Sequence, residues 1–210
     1  MEVNEKMKKI LLSELIKYQG KSFSELIIDL KLPFSDKLPK NIGYIISSSI
    51  IKRIEKNKNL IFDNLFIKTI RVNKKNSPIE SMSFAQIKFN EIVKEDWENS
   101  YLFKTFNTEF LFFIFRLENK KDNDPIFITS KFWKMNFNDL ELVNKFWELT
   151  KDNIQRGDYN NFITIKNNFI CHVRSKGVNS RDTIKTPQGT FESKKGYWLN
   201  ASYIKTQIIK

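Results

Sequence analysis

Arg174, Lys176, Asn179, Arg181, Lys185, Gln188, Lys194 and Lys195 fall close together near the end of this 210-residue chain, with Tyr197 and Trp198 directly after them. Side chains of these types are the ones that handle duplex DNA. Lysine and arginine seek backbone phosphates, arginine bridges the two acceptors of guanine, and asparagine or glutamine meets the donor and acceptor of adenine. The chain is +12 overall, from 36 Lys and Arg against 24 Asp and Glu, and residues 164–210 hold nine of those cations against only Asp182 and Glu192. Charge is therefore polarised along the chain. Composition leaves two readings of this stretch open, a DNA contact surface and an ordinary solvated loop, because charge runs are usually solvated faces. Lysine outnumbers arginine 30 to 6 and asparagine occurs 22 times, a bias that an AT-rich coding genome produces without selection for binding.

Little else in the chain suggests chemistry. Cys171 is the single cysteine and His172 the single histidine, which excludes an intrachain disulfide and a thiolate-rich zinc or iron–sulfur site and leaves no material for a His-ligated metal cluster. The two alternate along one segment, so one is expected to face a core and the other the opposite face. Trp97, Trp133 and Trp147, with Phe110, Phe112, Phe113 and Phe115, are read as core rather than as stacking platforms for single strands.

The elements that must position these groups follow from periodicity. Residues 7–18 place Ile10, Leu11, Leu15 and Tyr18 on one helical face, Ser22 caps a second helix over 23–30, and Pro33, Ser35 and Pro39 break the pattern before a third helix over 42–54. The period then changes. Residues 60–72, 82–89, 110–117 and 126–135 are short, rich in β-branched and aromatic residues and bounded by polar clusters, as the strands of one central sheet would be. Asn138 is placed to cap a helix over 139–155 that stops at Gly157; residues 162–165 and 169–174, joined at Asn167-Asn168, suggest a hairpin; residues 175–197 form a long polar connection; and residues 201–209 form a last helix. The expected fold is α/β (α+β), a mixed central sheet flanked by helices. No repeat or linker-like shift in composition appears, so residues 1–210 are read as one domain, large enough to bury about 70% of the surface its unfolded chain exposes.

No apolar run approaches the length of a membrane span, since the longest, 110–115, ends at Arg116. The acidic, polar first five residues lack the basic and apolar regions of a secretory signal. A cytoplasmic protein without membrane association is expected.

Several segments together resemble the MutH-like family. They are Lys40-Asn-Ile-Gly43, Leu65-Phe66-Ile67-Lys68-Thr69-Ile70, Asp96-Trp97-Glu98-Asn99-Ser100, Phe146-Trp147-Glu148-Leu149, Cys171-His-Val-Arg174-Ser-Lys176, Thr186-Pro-Gln-Gly189 and Tyr197-Trp198-Leu199. The family includes the methyl-directed mismatch-repair endonuclease and the staphylococcal type of restriction endonuclease that cuts at GATC. The resemblance implies the restriction-nuclease core, in which an Asp, a Glu seven residues later and a Lys two further on hold Mg²⁺ and polarise water. Two carboxylates at that spacing supply oxygen ligands to a hard cation that keeps waters for attack on the phosphodiester. With Lys68 as the lysine, the Glu position is Phe66 and the Asp position is Asn59. Phenylalanine cannot ligate Mg²⁺ and asparagine supplies no negative charge, so this vestigial site is expected not to catalyse. Asp63, Glu55, Glu80 and the Gln86-Ile-Lys88 segment offer no acid pair at the required spacing.

The resemblance is closest to the C-terminal half of the staphylococcal enzyme type, whose second nuclease-like fold lacks the acids and acts as a DNA-binding allosteric effector. It implies that this chain is such a pseudo-nuclease domain, a fragment or an independently expressed domain, that binds double-stranded GATC DNA and stimulates a separate catalytic domain. No cofactor is expected for it, Mg²⁺ belonging to the parent nuclease. Arg174 and Lys176 would sit at a strand exit beside the DNA cleft, with Asn179, Arg181, Lys185, Gln188, Lys194 and Lys195 on the loop that follows. Trp198 or Tyr197 would lie near the adenine, and Lys68 is either a retained phosphate contact or a strand-end lysine without a role. Two alternatives stand beside this reading: an Mg²⁺-dependent endonuclease cutting at GATC in its own right, and a protein-interaction module whose basic loop docks an acidic surface.

Overall fold

A computed structural model describes residues 4–34, 37–62, 65–118, 124–167, 169–179 and 181–209. In chain order its helices are α1 (Glu5–Leu15), α2 (Phe23–Leu30), α3 (Ile42–Lys58), α4 (Phe89–Ile92), α5 (Tyr101–Phe106), α6 (Phe137–Gln155) and α7 (Ala201–Tyr203). Its strands are β1 (Phe66–Val72), β2 (Met82–Gln86), β3 (Phe110–Arg116), β4 (Ile126–Trp133), β5 (Cys171–Ser175), β6 (Thr183–Lys185), β7 (Phe191–Ser193) and β8 (Lys195–Leu199). The mixture of helices and small sheets is an α+β architecture. Two compact units share the chain, one drawn from Met1–Ile79 and Glu109–Lys134, the other from Glu80–Thr108 and Met135–Ile208.

The first unit holds a mixed sheet in the order β1-β3-β4, with β1 parallel to β3 and β4 antiparallel to it. Helices α1 to α3 cover one of its faces. Leu11, Leu15, Leu26, Ile46 and Ile50 pack there with Leu111, Phe113, Phe115 and Phe127 in one buried cluster, and the Phe23 ring meets Phe115 edge-on at 4.8 Å. Each such side chain contributes about 1.5–3 kcal/mol when fully buried. Ser22 caps α2 as expected, within a reciprocal box in which the Glu25 carboxylate accepts the Ser22 N–H at 2.7 Å. Gly43 lets α3 approach closely, since a Cβ there would meet Phe23 Cζ at 3.3 Å and the Thr69 side chain at 3.5 Å.

The second unit holds the antiparallel sheet β2-β8-β5 and the two-stranded ribbon β6-β7. Tyr197 on β8 packs against Phe146 of α6 and stacks on Tyr101 of α5, and Phe84 of β2 packs on Phe106 of α5. These contacts place α5 and α6 on one face of the sheet.

The expectation of one central sheet is corrected. Strand β2 takes β8 as its partner, more than a hundred residues on, and not the neighbouring strands of the first unit. Partner choice is a long-range decision that strand composition does not encode. The expected hairpin is also corrected: Asn167 Oδ1 accepts both the N–H and the hydroxyl of Thr164, at 2.8 and 2.9 Å, and a 3₁₀ turn forms over Ile165–Asn167. A side chain that captures ladder donors competes with strand formation; Val173 N–H still bonds Ile163 O at 2.8 Å, while β5 pairs with β8. Asn168 of that hairpin, Ser35 among the expected breakers and Asp63 lie outside the described residues. The polar connection contains β6, β7 and most of β8, and the last helix becomes a π-helical turn over Ile204–Ile208. Asn136, not Asn138, caps α6, by accepting the Asp139 N–H at 2.9 Å.

Candidate functional site

Asn59, Phe66 and Lys68, the positions that the resemblance aligns with a metal motif, all lie in the first unit. Asn59 ends α3 in the left-handed conformation at φ 51°, a geometry that asparagine tolerates better than most residues. Phe66 meets the Phe110 ring edge-on at 4.9 Å. Lys68 pairs with Phe112, and the positions around it on the same face of the sheet are Phe66, Ile70, Phe110, Ile114 and, across β4, Lys131 and Trp133. None of these is an acid. The Glu55 carboxylate accepts the Phe62 N–H at 2.9 Å, so it ties off the chain leaving α3, and Glu80 belongs to the second unit. Among the described residues no three His, Cys, Asp or Glu side chains gather as a metal site.

The basic residues belong to the second unit, and strand pleating sorts them. Cross-strand pairing sets His172 opposite Trp198 and Arg174 opposite Gly196, while Val173 opposes Tyr197 and Cys171 opposes Leu199. Alternate residues face opposite sides. Val173, Tyr197, Leu199 and Cys171 therefore face the core, where burial pushes the Cys171 thiol and the Tyr197 phenol upward. Tyr197 is a core residue. The other face carries Trp198, with the Arg174 guanidinium 4.6 Å above its ring centroid and His172 stacked at 6.5 Å. A guanidinium over an indole contributes about 0.5–1 kcal/mol when exposed and holds its fork in one plane.

His172 is fully buried although it lies on this outer face. Burial holds the imidazole below its ordinary pKa against the opposing pull of the Asn200 side chain, and the charge of Arg174 acts in the same sense as burial. Lys176 crosses Gly196 and donates to Ser83 Oγ at 3.0 Å. A Cβ on Gly196 would come within 2.5 Å of the Lys176 stem, so a glycine is needed where the lysine crosses the strand. Partial burial lowers the Lys176 pKa, and the ammonium has no carboxylate partner among the described residues.

The remaining residues separate into two groups. Arg181 and Lys185 are exposed. Lys194 is paired with Asp182, whose carboxylate also accepts the Val178 N–H at 3.0 Å, and Asn179 Oδ1 accepts the Arg181 N–H at 2.9 Å, so this loop is internally braced. Gln188 is turned inward: its amide donates to Ile154 O at 2.9 Å and Gln155 O at 3.0 Å and accepts from the Tyr159 hydroxyl at 2.7 Å. The residue is exposed, but its amide is engaged at the end of α6. Lys195 stands beside a cleft of about 430 Å³ together with Thr164, Arg174 and Ser175. Sequence reasoning missed Ser175, although it lies between the two chosen cations, and Thr164, for which no local signal exists.

No family model matches the chain. Among curated proteins it is similar to the Type II restriction enzyme Sau3AI of Staphylococcus aureus, with 29% identity over 189 aligned positions that take in 69% of this chain and 38% of the relative. The chain spans well under half the length of that relative. It is a partial homologue of a type II restriction enzyme.

Proposed function

We propose that the second unit binds double-stranded DNA, preferentially at GATC, through the outer face of β2-β8-β5 and the basic ribbon beside it. The observation that carries the reading is Arg174 held over Trp198 on that face, with the Lys176 ammonium just past the end of β5 bonded to Ser83 Oγ and to no carboxylate among the described residues. A desolvated cation without an acid regains favourable interaction when a phosphate approaches, and a stacked arginine is preset to meet the two acceptors of guanine. Exposed Arg181 and Lys185 add sequence-independent attraction for the backbone.

In this reading the chain is a pseudo-nuclease. Among the described residues the Lys68 face carries no acid pair; in this reading the domain does not cleave, and Mg²⁺ chemistry belongs to a separate catalytic domain. DNA binding here favours the state in which that domain cuts another site, a coupling that requires differential affinity for two states. The setting is the cytoplasm. The similarity to a restriction enzyme over 69% of the chain supports the assignment to DNA.

Fluorescence anisotropy with a GATC duplex and a scrambled duplex, at equal salt and with Mg²⁺, tests the proposal when the recovered DNA is run on a gel. At least about tenfold tighter binding of intact GATC DNA is expected for specific readout. Equal affinities would overturn the specificity, and cleaved DNA would overturn the pseudo-nuclease assignment.

A further inference from the structure

The cleft beside β5 lies at the outer edge of the sheet, where the loop after α6 leaves the strand. Tyr159, Phe162 and Thr164 wall one side, Arg174 and Ser175 the other, and Lys195 closes it from β8, where it pairs directly with Ser175. Among the described residues no carboxylate lines it. Asp158, just before the loop, is occupied by the Asn160 N–H at 3.3 Å and the Asn161 amide at 2.7 Å.

We infer that this cleft is an anion subsite that holds one phosphodiester of a bound duplex, apart from the base-reading platform on Trp198. The inference rests on the DNA-binding reading above. Lys195 supplies the phosphate-seeking charge and the exposed Ser175 hydroxyl offers a short hydrogen bond, while Arg174 borders the cleft from the Trp198 platform and Thr164, whose hydroxyl already donates to Asn167 Oδ1, shapes the wall; a hydroxyl donor beside an unpaired cation suits phosphate oxygens. The volume of about 430 Å³ exceeds what a bare phosphate needs and suits a phosphodiester with its flanking sugars.

The walls are preset. Asn167 holds Thr164 through two hydrogen bonds, and Tyr159 is tied through Gln188 to the end of α6. Trp198 is a positioning residue here, because it fixes the Arg174 guanidinium at 4.6 Å and limits the ordering that binding would otherwise cost. This gives Gln188 an indirect part in binding, through Tyr159, in place of base contact.

Anisotropy over a salt series tests the subsite on the full chain, with Lys195→Ala and with Ser175→Ala. Lys195→Ala is expected to weaken GATC and scrambled duplexes alike and to flatten the dependence of log affinity on log salt by about one unit. Ser175→Ala is expected to lose about threefold on both duplexes, consistent with a hydrogen bond of modest net worth. Wild-type slopes and affinities in both variants, with duplex binding intact, would overturn the subsite. If the wild-type chain binds no duplex, the DNA-binding reading fails, and titration with inorganic phosphate followed by NMR of the Thr164 and Ser175 amides decides the cleft by itself. Saturating shifts abolished by Lys195→Ala would keep an anion site; unmoved amides would remove it.

Discussion

Lys68 stands on β1 among Phe66, Ile70, Phe110 and Phe112, whereas Arg174 stands on β5 over Trp198, with Lys176 just past the end of that strand. Both are strand cations in three-stranded sheets, and their surroundings give them different possibilities. The first sheet surrounds its lysine with aromatic packing, with Phe110 and Phe112 stacked at 5.3 Å and Trp133 tilted against both at 5.8 Å. The second keeps its packing on one face and leaves cations without acids on the other. A retained lysine is thus weak evidence for a retained site, because the metal chemistry resided in the carboxylates. A stacked arginine with open surroundings is stronger evidence for recognition.

The largest expected effect tests the packed side of this contrast. Phe113→Ala should cost about 3–5 kcal/mol of stability in urea unfolding, since the ring is fully buried between the sheet and α1 to α3. Arg174→Ala should stay within about 0.5 kcal/mol of wild type in the same assay. Similar losses in the two variants would erase the distinction between a structural and a binding sheet.

Next in size is the effect of Arg174→Ala on DNA, where about 1–3 kcal/mol of discrimination between GATC and scrambled duplexes should disappear. Competition anisotropy measures this; a uniform loss on both sequences would make Arg174 a phosphate contact.

His172 provides a pH-dependent comparison. Burial, opposed by the Asn200 side chain and aided by the Arg174 charge, holds its folded pKa below the unfolded value of about 6.5, so the unfolded chain takes up the proton first as pH falls. The contribution of the neutral ring is fully present above about pH 6.5 and declines as pH falls through the window down to the folded value, at no more than about 1.4 kcal/mol per pH unit. His172→Phe keeps an aromatic ring on Trp198 and should remove that decline. Asp29 and Asp182, whose pKa values are lowered chiefly by Lys21 and Lys194, lose their contributions only as pH falls below about 4. An unchanged thermal profile between pH 5 and about 6.5 in the variant would show that His172 does not titrate there.

The smallest effect is expected at Asn59→Gly. Glycine adopts the left-handed conformation freely, so stability should move by only about 0.5 kcal/mol, with duplex affinity unchanged. A marked fall in affinity would return Asn59 to the site.

Much of the first unit was legible because its signals are local. Ser22 with Glu25 marks the start of α2, the pattern of Ile46, Ile50, Ile51 and Ile54 marks the buried face of α3, and the aromatic run of 110–116 marks a strand buried on both sides. The second unit was less legible. Its sheet joins β2 to strands more than 80 residues away, and the short ribbon strands lie in a stretch whose polar composition resembles a loop.

The sequence by itself determined the polarity of charge, the scarcity of thiol and imidazole chemistry, and the presence of Asn59 and Phe66 rather than acids before Lys68, since residue identity and spacing suffice for these. Only the tertiary structure decided that Trp198 faces outward while Tyr197 enters the core, and that Gln188 closes a helix end. The physical reason is register: adjacent strand residues point to opposite faces, so a single step in pairing exchanges the buried and the available side chain.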